Sequence, residues 1–141
     1  MLKVKIYSVG KTKKDWLSQA LEVYETRLIS SLTFEWILAK NDEQLKQFLA
    51  KEPIFFCLAP QGRQYSSEEF SLFFTKSLQE NCSRLVICIG GSEGIPLQIK
   101  SKAKQLISLS KMTFTHQITR LILVEQIYRA LEIQKGSIYH K

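Results

Sequence analysis

The chain has 141 residues but only two histidines, three cysteines, three prolines and six glycines. No two of Cys57, Cys82 and Cys88 form a CxxC pair, and both histidines, His116 and His140, lie far from them in sequence. This spacing argues against a zinc site or a disulfide framework, so buried thiols and no metal are expected. No apolar run reaches the ~18 residues that spanning a bilayer requires. The opening MLKVKIYSVGKTKK has too short an apolar stretch for a secretion signal, which points to a cytoplasmic protein with no membrane partner. The main glycine cluster, IGGSEG, matches neither GxGxxG nor GxxxxGK[ST] and has no lysine to reach phosphates. ATPase chemistry is therefore disfavoured. Acidic residues are also scarce, 13 against 20 Lys and Arg, for a net charge of +7. Such a surface favours a polyanionic partner, because cations that neutralise phosphates gain affinity from counterion release.

What is present fits one domain over residues 1–141. LKVKIYSV (2–9) alternates lysine with apolar residues, which predicts a strand with one buried and one wet face. A helix follows over 15–27, then a strand LTFEWILA (32–39) and a helix over 41–52 capped by Asn41 or Asp42. PIFFCLA (53–59) and RLVICIGG (84–91) are continuous apolar runs, typical of strands covered on both faces. Between them PQGRQY (60–65) reads as a loop, and Ser66 with Glu69 forms a capping box for a helix to Ser77. A helix begins near Pro96, a brief apolar run covers 106–109, and the connector SLSKMTFTHQ (108–117) leads to a long C-terminal helix. Alternating strands and helices predict an α/β fold, a mainly parallel sheet with helices on both faces. Ligands of such sheets bind beyond the carboxyl ends of strands. Three loops qualify: those after Leu58, Ile89 and Leu109.

The C-terminal helix has apolar residues on more than one stripe, from Ile118 to Ile133, so it faces either a partner subunit or a deep position between sheet and helix. Glu125 and Arg129 on it are spaced i,i+4 and can pair amid apolar neighbours. A charge pair in such surroundings needs satisfied partners, which raises the prospect of a functional site. His116 stands among Ser110, Thr113 and Thr115, any of which can cap the helix. The tail GSIYHK follows a C-cap glycine, Gly136, and supplies an aromatic ring, an imidazole and a cation suited to an RNA base and phosphate.

The motifs occur in a telling order: a first strand ending VGK, CLAPQG after the third, IGGSEG after the fourth, then SLSKMTFTHQ, EQIYRA and a closing YHK. In that order, over essentially the whole chain, they resemble the ribosomal RNA large subunit methyltransferase H family. The resemblance implies a SPOUT-type fold with a trefoil knot and a homodimer. It implies transfer of a methyl group from S-adenosylmethionine to N3 of a pseudouridine, in the decoding-region-facing hairpin of large-subunit (23S) rRNA on the assembled ribosome. The cofactor residues it implies are Leu58, Gly90, Leu109, Ser110, Lys111, Met112, Thr113 and Phe114. The polar residues it places at the acceptor base are His116, Glu125, Arg129, Tyr139 and His140. Thr115 replaces the family's usual proline, which is expected to loosen the connector, and the segment between the second strand and second helix is shorter than usual. A different class of reading is a ribosome- or RNA-binding module without catalysis, in which the glycine loop is only a turn.

Overall fold

The computed structural model describes residues 2–141. Five strands, β1 (Leu2–Val9), β2 (Leu32–Ala39), β3 (Phe56–Gln64), β4 (Arg84–Cys88) and β5 (Gln105–Ser108), form one sheet in the order β2-β1-β4-β3-β5. Every pairing is parallel. The helices are α1 (Asp15–Leu28), α2 (Asp42–Leu49), α3 (Ser67–Glu80), α4 (Leu97–Lys100) and α5 (His116–Lys135). On one face of the sheet Val4, Ile6 and Ile87 pack against Leu17, Phe74, Leu123 and Ile127 of α1, α3 and α5. On the other, Tyr7, Cys57 and Cys88 pack against Leu45, Leu49 and Ile99 of α2 and α4.

Local chemistry explains most boundaries. Asn41 caps α2 through Gln44 N–H, and Ser66 with Glu69 forms the expected capping box on α3. Gly136, at φ 70°, ends α5 in the left-handed conformation. Helix α3 runs on to Glu80, one turn beyond the expected end. Cys57 and Cys88 are buried as expected, but Cys82 is exposed, because it sits in the α3–β4 turn with φ 55°.

Two further expectations fail, each for a physical reason. The wet face of β1 does not exist at Lys5, because the face it shares with Tyr7 is covered by α2 and α4. Lys5 is buried and its Nζ lies 2.8 Å from Glu52, whose carboxylate also accepts from Tyr7 Oη at 2.6 Å. Glu52 answers the lysine from a distant part of the chain, and the carboxylate stays ionised because Lys5, Tyr7 and Arg84 outweigh the cost of its burial. The second failure is PQGRQY, which is not a loop: β3 continues to Gln64, so the loop expected after Leu58 is instead a bulge within the strand. The ladder to β5 breaks between Leu58 and Arg63, both of which face Ile107. A Cβ on Gly62 would lie 2.5 Å from the Ile107 backbone, so only glycine lets β3 cross so close to β5.

Candidate functional site

The bulged stretch of β3 at Leu58–Pro60 and the loops that follow β4 and β5 meet around a cavity of about 630 Å³. Leu58, Gly90, Leu109, Ser110, Met112, Thr113, Phe114 and His116 all line it. Lys111 does not, and projects from the connector into solvent. The connector is shaped by its own hydroxyls: Ser108 Oγ donates to the Ser110 carbonyl at 2.8 Å, and Ser110 Oγ accepts from Met112 N–H at 3.0 Å. Met112 is left 75% exposed, an apolar side chain at the connector with nothing covering it. Gly90 also shapes its own loop. A Cβ there would come within 2.5 Å of the Gly94 backbone, so the missing side chain closes the turn whose outer surface lines the cavity.

Thr115 does not loosen the connector. At φ −62° and ψ 152° it holds the backbone a proline would hold, and its Oγ1 caps α5 by accepting from Ile118 N–H at 3.2 Å. His116 is consequently the first residue of α5 rather than part of the connector.

The fourth wall was missed from sequence. Lys13 and Lys14 of the β1–α1 segment and Trp16 at the start of α1 line the cavity. Two residues of α5 clamp this segment. Arg120, fully buried, donates to Ser8 Oγ, the carbonyls of Val9 and Gly10, and Thr12 Oγ1 at 2.7–3.1 Å. Among the described residues its Nε has no partner and it makes no ion pair with a carboxylate. Gln117 accepts from Lys13 N–H and donates to the Lys11 carbonyl, each at 3.1 Å. The lysine cluster near the start of the chain was the only signal for this wall. Long-range clamps have none.

Glu125, Arg129, Tyr139 and His140 do come together, but away from the cavity. Glu125 follows His116 by nine residues on α5, about 14 Å of helical rise, and none of the four lines the cavity. Glu125 Oε2 accepts from Arg129 Nη2 at 2.8 Å and from Tyr139 Oη at 2.6 Å. Arg129 Nη1 lies 3.0 Å from His140 Nδ1, and His140 Nε2 lies 2.9 Å from Glu68 of α3. The Tyr139 ring meets Tyr128 edge-on with centroids 4.7 Å apart. Burial, then the bond to Glu125, pushes the Tyr139 phenol well above its ordinary range, and the same carboxylate raises Arg129. Beside this cluster, Ala20, Val23, Tyr24, Leu121 and Ile122 form a shallow apolar groove between α1 and α5. One apolar stripe of α5 is thus buried in the core and a second faces outward.

A parallel sheet with a cavity at the carboxyl edge, walled by the β3 bulge and the loops after β4 and β5, is a ligand-binding arrangement of α/β proteins. Residues 2–140 match the family described as predicted SPOUT methyltransferase, and the chain belongs to that family. It is 54% identical over 141 residues to the ribosomal RNA large subunit methyltransferase H of Protochlamydia amoebophila (strain UWE25), covering all of both chains. The protein of the same name from Streptococcus uberis (strain ATCC BAA-854 / 0140J) is 37% identical, with 99% of this chain and 100% of that one covered. A solved probable methylase family protein from Haemophilus influenzae Rd KW20 shares the fold at TM-score 0.62 and 8% identity, over 98% of this chain and 70% of its own. Among the described residues there is no metal-binding cluster and no helix long and apolar enough to cross a membrane.

Proposed function

We propose that this protein methylates large-subunit rRNA, with S-adenosylmethionine as donor and N3 of a pseudouridine as acceptor, on the assembled ribosome. The observation that carries the reading is the cavity bounded by the β3 bulge and the loops after β4 and β5, at the carboxyl edge where parallel sheets bind nucleotides. Its walls fit an adenosyl group. Leu58, Met112 and Phe114 offer apolar surface for a flat ring, and the 109–114 backbone offers amides and carbonyls for its edge. The cofactor supplies an electrophilic methyl group on sulfur. Lys13 and Lys14 at the cavity rim, within a chain of net charge +7, suit RNA phosphates.

The acceptor side requires a second copy of the chain. Glu125, Arg129, Tyr139 and His140 stand one helical segment away from their own cavity, and the outward apolar groove between α1 and α5 beside them is suited to a homodimer contact. In such a dimer the cluster of one subunit completes the cavity of the other. Glu125 then holds the Tyr139 phenol and the Arg129 guanidinium in place for the base, and alignment of the acceptor nitrogen with the methyl group does most of the catalytic work. A trefoil-knotted path of the chain around the cavity and a cytoplasmic location belong to the same proposal. The test is to incubate the protein with labelled S-adenosylmethionine and ribosomes that lack the modification, followed by mass spectrometry of the rRNA. Label at N3 of one pseudouridine is expected; absence of label from RNA overturns the proposal.

A further inference from the structure

Both imidazoles face neighbours whose polarity is fixed, so the position of each ring proton follows. The Lys13 backbone N–H donates to Gln117 Oε1, which makes the other end of that amide an NH2 group, and this group donates to the Lys11 carbonyl. The same NH2 lies 3.2 Å from His116 Nε2. A donor facing that nitrogen requires a lone pair there, so the His116 proton sits on Nδ1. His140 is the reverse. Arg129 Nη1 can only donate, so Nδ1 accepts at 3.0 Å and Nε2–H donates to Glu68 Oε1 at 2.9 Å. The two rings are held in opposite tautomers.

His116 alone of the pair lines the cavity, and among the described residues its Nδ1 has no partner. Burial first, then the charges of Arg120 on the same helix and Lys13 on the β1–α1 segment, hold its pKa below the ordinary imidazole value. The lone pair a proton acceptor would need is occupied by Gln117. We propose, on the methyltransferase reading above, that His116 acts in the site as a neutral hydrogen-bond donor through Nδ1–H to an acceptor oxygen of the bound molecules. Gln117 is the positioning residue that sets this tautomer. The oxygen belongs to the cofactor's carboxylate or to a carbonyl of the substrate base, and these two sources separate experimentally.

A long-range 1H–15N correlation on uniformly labelled protein at neutral pH reads the tautomers without any substrate. One Nδ1–H and one Nε2–H ring are expected, and Gln117→Ala converts only the first to a mixture. Two Nε2–H rings in the wild type, or no response to Gln117→Ala, overturns the inference whether or not the protein methylates RNA. Turnover on ribosomes gives the second reading. An Asn amide reproduces the Nδ1–H donor but has no titratable lone pair, so His116→Asn keeps activity within about tenfold while His116→Ala loses about a hundredfold, the scale of one donor lost from a site. Equal losses in both variants overturn the donor role. With S-adenosylmethionine as the calorimetric probe, affinity lost in His116→Ala and regained in His116→Asn assigns the oxygen to the cofactor. Unchanged affinity with the same loss and rescue in turnover assigns it to the RNA base. His116→Ala matching the wild type in both measurements overturns the proposal.

Discussion

The amino-terminal turns of α5 hold main chain, whereas its carboxyl-terminal half holds side chains. Near His116, Gln117 and Arg120 bind backbone groups of Val9, Gly10, Lys11 and Lys13, which have few alternative positions once β1 is paired. Around Glu125, a carboxylate, a guanidinium, a phenol and an imidazole satisfy one another, and the last two come from the tail after Gly136. The first region is complete within one chain. The second is made of side chains alone, none of which holds the sheet. A network of this kind is well matched to a base that arrives from outside, and a clamp on main chain to a cavity that must keep its shape.

The sharpest way to break the comparison is to damage the two regions in separate chains. Gly90→Trp disrupts the turn at the cavity and Glu125→Ala empties the cluster; each alone is expected to lose about a hundredfold or more of methyl transfer. Mixed and refolded together, they should recover about a quarter of wild-type activity, since random pairing leaves one intact composite site in each heterodimer. No recovery would place both halves of the site in one chain. Next in size, Arg120→Met strands the acceptors of a buried clamp and is expected to destabilise the protein by about 2–3 kcal/mol in urea unfolding. It should also speed hydrogen exchange in residues 10–14, with no change in exchange around Tyr139.

Thr115→Ala removes the cap of α5 for about 1 kcal/mol. Thr115→Pro should cost less than Thr115→Ala, because φ is already −62° and, among the described residues, the Thr115 N–H has no backbone partner. The smallest effect is a pH dependence. His116 has a lowered pKa in the folded protein, so the unfolded chain binds the extra proton first. Stability is therefore lost as pH falls below the ordinary imidazole value of about 6.5, and the loss stops growing below the lowered one. His116→Asn should flatten that part of the wild-type stability curve.

Sequence patterning reached the order of the elements, the capping box at Ser66 and the meeting of Leu58 with the loops after β4 and β5, because each rests on contacts a few residues apart or on strand polarity. It misread 60–65 because Pro60 and Gly62 punctuate a loop in most contexts, whereas here Gly62 is what allows the strand to continue against Ile107. Lys5 looked solvated because its counter-charge, Glu52, lies on a segment far along the chain. Gln117 and Glu68 carried no signal at all: their hydrogen bonds span 104 and 72 residues, and polar residues at helix starts are ordinary. Of the candidate catalytic residues, Glu125, Arg129, Tyr139 and His140 meet one another, whereas His116 lines the cavity, since a helix rise separates what the chain order places together.

The cavity is walled by the β3 bulge and the loops after β4 and β5, and β5 is a four-residue edge strand that joins the sheet only through β3. This sets an order in time. A chain still lacking β5 has no cavity to offer, so a small molecule cannot recruit it. Ligand added during refolding should leave the rate of folding unchanged, and the whole of its stabilisation should appear as slower unfolding.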